Sequence, residues 1–176
     1  MTMKSTQDLS ASGGMSLRRA ENLLLVAWGN AGWPELKEIQ GRVNLFRADY
    51  PAGSAILNVI AERSDEQFRR VWERFATMFL AAGQKDPGAV PTHLGTVHLF
   101  PSTGLKATAA RVLFRGMERY GRDFARQGNV VFKTIDEATD WLSQRLQAGP
   151  VQWTRTELMD LIAPFVHSRA SSQKVC

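Results

Sequence analysis

Ser54-Ala55-Ile56-Leu57-Asn58-Val59-Ile60-Ala61 decides the fold. Its apolar residues occupy both alternating sets of positions, so a strand built from it needs cover on each face, the condition of a central strand in a sheet sandwiched by helices. Just downstream, Ser64 is placed to cap a helix whose first turn carries Asp65 and Glu66 at the positive end of its dipole. Phe68, Val71, Trp72 and Phe75 then recur at helical spacing, and Gly83, Pro87, Gly88 and Pro91 make a loop. Strand followed by helix is the unit of an α/β sheet, and the pattern repeats on both sides of this stretch.

Upstream, a polar strand at Met15–Arg19 turns through Ala20-Glu21-Asn22 into Leu23–Trp28, a hairpin ended by Gly29 and Gly32. Pro34 suits a first helical turn, and Leu36, Ile39, Val43, Leu45 and Phe46 form a rough apolar stripe, which predicts a helix over Pro34–Asp49. Downstream come a strand at Thr92–Phe100, a turn at Pro101–Gly104, a long helix from Leu105 to about Tyr120, and a closing strand at Val130–Ile135. A helix then runs from Asp136 through Ala138, Trp141, Leu142 and Leu146. Thr154 and Glu157 form a capping box that opens a last helix, with Leu158, Leu161, Ile162 and Phe165 on one stripe. The sum is a single α/β domain over residues 15–147, with a mostly parallel or mixed five-stranded sheet flanked by helices and an added amphipathic helix at 153–168. Residues 1–14 and 169–176 are polar, lack an apolar run, and read as disordered tails.

The 176 residues are 44% apolar and 22% charged, ordinary globular composition, with a net charge of +5 that favours anionic partners. The single cysteine, Cys176, excludes an internal disulfide framework and fits a reducing compartment. No signal-peptide pattern and no continuous apolar run of about 18 residues occurs, so the expected setting is cytoplasmic, without a membrane span.

With this order of elements, LLLVAWGN leading into a helix, SAILNVIAERSDEQ, KATAARVLFRGM and above all VVFKTIDEATDWLSQRL carry a resemblance. The chain resembles the STAS-like superfamily of anti-sigma-factor antagonists, which overlaps structurally with the CRAL-TRIO lipid-transfer domains. The likeness covers about Met15 to Leu146. It implies a non-catalytic protein-interaction module in bacterial regulation or, by the CRAL-TRIO overlap, a small-ligand or lipid binder with an enclosed apolar pocket. The antagonists carry a phosphorylated serine in an Asp-Ser-Ser-Gly-like turn after the central strand. The matching turn here is Ala61-Glu62-Arg63-Ser64-Asp65, which makes Ser64 a candidate phosphoacceptor, although the leading Asp and the Gly are missing. Helix capping is the competing role for Ser64, and Ser102 and Thr103 read as ordinary turn residues.

Catalytic patterns are scarce. His93 and His98 stand five apart on one predicted strand and should project to opposite faces, which forbids a shared metal. Gly29-Asn30-Ala31-Gly32 is only a fragment of a phosphate-binding loop. The expectation is no enzyme, no cofactor and no metal.

The strongest surface signal is arginine. Arg111, Arg115, Arg119, Arg122 and Arg126 would line one band of a continuous helix, and Gly104–Arg126 carries six basic and two acidic residues, a local +4. That band is either a solvated face with Glu118–Arg122 and Arg119–Asp123 pairs or an anion-binding face. An acidic protein suits it better than nucleic acid, because the aromatic interleaving of single-strand binders is missing. Trp72 and Trp141 sit on apolar stripes, whereas Trp33 and Trp153 stand at element edges where a ring can line a cleft. The Leu158, Leu161, Ile162 and Phe165 stripe is an interface helix, covering either its own sheet or a second copy in a homodimer.

Overall fold

The computed structural model describes residues 4–10, 15–28, 33–60, 93–101, 108–109, 111–112, 115–116 and 128–172. Leu23–Trp28 (β3) and Ser54–Ile60 (β4) lie parallel, in register from Leu23↔Ala55 to Trp28↔Ile60, and only the last residue of each escapes burial. Continuous apolar strands end up side by side because each needs cover on two faces. Around them the sheet has six strands in sequence order. Thr6–Ser10 (β1), Ser16–Ala20 (β2) and β3 form an antiparallel meander, and β4, His93–Leu99 (β5) and Asn129–Phe132 (β6) continue from β3 in parallel.

Three helices with described ends cover the sheet: Trp33–Asp49 (α1), Ile135–Leu146 (α2) and Arg155–Ser172 (α3). On one face Leu23, Leu25, Leu57, Val59, Val97 and Leu99 pack against Leu142 and Leu146 of α2 and Leu158, Ile162 and Phe165 of α3. On the other, Leu17, Leu24, Val26 and Ile56 meet Ile39 and Phe46 of α1. Leu45, placed by spacing on that stripe, is instead 69% exposed. Helix starts follow local chemistry. Thr154 Oγ1 accepts from the Glu157 amide at 3.2 Å while the Glu157 carboxylate accepts from the Thr154 amide at 2.8 Å, and Thr134 with Glu137 repeats this box at α2.

Two boundaries differ from the sequence expectation. Among the described residues the sheet has six strands, not five, because Thr6–Ser10 within the expected tail pairs with β2 from Thr6↔Ala20 to Ser10↔Ser16. Its order comes from backbone ladder bonds and charge pairs, which a search for apolar runs misses. Arg18 holds Asp8 at 2.6 and 3.1 Å, and Lys4 reaches Glu157 at 2.8 Å while lying 4.2 Å from the centre of the Trp153 ring. The last helix also runs on to Ser172, into the stretch 169–176 expected as a tail.

The interface-helix expectation resolves toward the chain's own sheet. Leu158, Ile162 and Phe165 are buried in the core and Leu161 packs against it, so this stripe is not a free dimer surface. Trp153, expected at a cleft edge, is buried as well, and its indole donates to Asn22 Oδ1 at 3.0 Å. Asn22 ties three segments together, its own turn, Gly53–Ala55 and Val151–Trp153. Its carbonyl accepts from Ala55, and its side-chain amide donates to the carbonyls of Gly53 at 3.3 Å and Val151 at 3.4 Å. Replacing a fully buried hub of this kind leaves an indole and two carbonyls without partners. Asn22→Ala is expected to lose about 3 kcal/mol in denaturant unfolding; a loss of about 0.5 kcal/mol or less would show the network to be dispensable.

Candidate functional site

Residues 108, 109, 111, 112, 115 and 116 are helical. Arg111 does not join an exposed band. It is buried, its Nη1 donating to the Phe100 carbonyl at 3.1 Å and its Nη2 to Thr108 Oγ1 at 2.9 Å. Phe100 directly follows β5, so Arg111 fastens this helix to the end of the strand. Membership of Arg111 in a partner-binding stripe is therefore corrected: a guanidinium at that turn meets a buried carbonyl before it meets solvent. Arg115 is exposed, and Val112, one turn before it, is 65% exposed. Arg115 also helps, as the weakest of several influences, to hold the Glu137 carboxyl low, after its hydrogen bonds with Thr134 and Lys133. Arg119, Arg122, Arg126, Ser64, Ser102, Thr103, Trp72 and the side chain of Trp33 lie outside the described residues.

A second constellation occupies the α1-side face of β4, β5 and β6. Asn58 and His98 are register partners, and a directed chain runs through them. The Trp28 indole donates to Asn58 Oδ1 at 3.1 Å, Asn58 Nδ2 faces His98 Nδ1 at 3.5 Å, and His98 Nε2 faces Asn129 Oδ1 at 3.3 Å. With Asn58 Oδ1 accepting from Trp28, the amide group left for His98 is a donor, so Nδ1 accepts and the proton sits on Nε2. Burial pushes His98 down to about 4, only partly offset by Asn129.

His93 contradicts the opposite-faces expectation. The pairing shifts by one residue between Ser54↔His93 and Ala55↔Gly95, and this bulge reverses the alternation. His93 Nε2 consequently meets Thr96 Oγ1 at 2.7 Å, on the face that also carries His98. Burial first, then Arg47, push His93 down to about 3 against a raising effect of the Ser54 backbone. Arg47, in the last turn of α1, is itself lowered by burial.

Asn58, Thr96, Asn129 and Arg47 were not singled out from the sequence. The available signal was polarity inside apolar strands: Asn58 interrupts SAILNVIA, and Gly95 inside a strand marks a bulge. Among the described residues no group of three or more His, Cys, Asp or Glu is arranged to hold a metal, and no helix is long and apolar enough to cross a membrane. Compared with known proteins, the chain matches no family model, no curated protein and no solved structure.

Proposed function

We propose that the chain is a non-catalytic protein-interaction module of STAS-like type, recognising an acidic partner protein in a regulatory system through the helix that carries Val112 and Arg115. The observation that carries this reading is that exposed pair. An exposed guanidinium of the kind that protein interfaces favour stands one turn from an apolar side chain that a partner would cover. Sequence spacing adds Arg119, Arg122 and Arg126 to the same band, while Arg111 ties the helix to the Phe100 carbonyl. The element order supports the family likeness in part: parallel strands are added one after another beside an antiparallel β2–β3 hairpin, with β1 as an extra strand on its outer edge.

The test is affinity capture from the cells that make the protein, followed by rebinding of the identified partner in purified form. Arg115→Glu combined with Arg122→Glu is expected to weaken binding at least about tenfold, while the melting temperature stays within about 2 °C, as exposed substitutions allow. Wild-type binding should weaken as salt rises, because exposed charges are screened over about 8–10 Å. Unchanged affinity in the double variant, or a basic partner, would overturn the reading.

A further inference from the structure

Arg47 poses an electrostatic problem that the described residues leave unsolved. Its Nε is buried without a hydrogen-bond partner among them, and none of their carboxylates pairs with it. The nearest acid in sequence, Asp49, is held by Arg19 at 2.7 Å, and the Tyr50 hydroxyl accepts from the same Arg19 at 3.3 Å. His93, the register partner of Ser54 a few residues on from α1, lies within electrostatic reach of Arg47; its buried Nδ1 forms no full hydrogen bond among the described residues and feels only the Ser54 backbone, while Nε2 is engaged by the Thr96 hydroxyl at 2.7 Å.

A guanidinium presents Nε–H and Nη–H along one edge, spaced to meet two oxygens of a carboxylate or phosphate. When the Thr96 hydroxyl donates to Nε2, a neutral His93 ring carries its proton on Nδ1 and supplies a further donor without taking up charge. Both residues are half-buried, but Arg47 Nε and His93 Nδ1 themselves are closed off from solvent, so an anion reaches them only as neighbouring side chains shift. The β5 bulge places His93 here; regular alternation would put it on the opposite face, with Val97 and Leu99.

We propose that Arg47 and His93 form a binding site for one oxyanion, a carboxylate or phosphate group carried by a small ligand, at the amino ends of β4 and β5. The site is separate from the Val112–Arg115 surface, and its test does not depend on that reading.

Thermal unfolding is followed with inorganic phosphate and, separately, with acetate, each matched in ionic strength by sodium chloride. The expected result is a saturable rise in Tm with at least one of them, absent in Arg47→Met and reduced in Arg47→Lys; the anion effective at lower concentration identifies the group. Without added anion, Arg47→Met should melt at or above the wild type, since it removes an unpaired buried cation, whereas a purely structural arginine predicts a lower Tm. A second readout uses the wild type alone: the effective anion should move the ring-nitrogen resonances of His93 in NMR and leave those of His98 in place. No rise beyond that of chloride, an equal rise in Arg47→Met, a destabilised Arg47→Met or an unmoved His93 resonance would each overturn the proposal.

Discussion

Replacing Gly95 by valine is expected to lower stability by about 4 kcal/mol, equivalent to a fall in Tm of about 10 °C or more. Gly95 lies at φ 150°, in the region that favours glycine, immediately after the β5 bulge. A Cβ there would run into the Trp141 ring and come within 2.8 Å of the Gly128 carbonyl oxygen. The indole cannot easily yield, because it packs against the core, lies 6.5 Å from the Phe132 ring and has the Arg145 guanidinium 5.1 Å above it. Backbone strain and overpacking therefore act together at one position. Gly41, inside α1 with nothing within 4 Å of an added Cβ, is the contrasting site, and Gly41→Ala should stabilise by about 0.5–1 kcal/mol. Equal responses at the two glycines in denaturant unfolding would contradict this account of the β5–β6 edge.

The second large effect is acid sensitivity. Folded His93 and His98 titrate at about 3 and about 4, against 6.5 for an unperturbed histidine. Between pH 6.5 and those folded values the unfolded chain binds protons that the folded chain refuses, so stability falls as pH falls. Each histidine contributes up to about 1.4 kcal/mol per pH unit, and together they should remove about 4 kcal/mol between pH 7 and pH 5. The loss attributable to them ends once pH passes below the folded values. Glu137 and Glu157, both held below the ordinary carboxylate range of about 4.5, weaken the fold only as pH drops further, so they do not mask the histidine window. His98→Gln should roughly halve the slope of stability against pH between 6.5 and 5. A wild-type slope near zero there would show that the two rings are not buried neutral.

Legibility in the sequence divides along physical lines. Leu23–Trp28 and Ser54–Ile60 were readable because burial on two faces demands continuous apolar residues. The start of α3 was readable because Thr154 and Glu157 satisfy its orphan amides locally. Thr6–Ser10 was not, since its partners are a neighbouring backbone and Arg18, fourteen or fewer residues away but on another strand. Arg111 shows the same limit in the other direction. Its spacing fits a solvated stripe, and only the proximity of the Phe100 carbonyl reveals that the side chain is buried. The His98 chain and the Arg47–His93 pair depend on strand register and on one inserted residue in β5, which no local pattern encodes.

The most direct test of the interaction reading is native mass spectrometry of the protein isolated at low salt from its own cells, with oligomeric state and bound small molecules read together. The account predicts a stoichiometric complex with an acidic protein that dissociates to the free chain as salt is raised. A chain that carries a lipid-sized adduct and no protein partner would contradict it, and would turn attention to an apolar pocket.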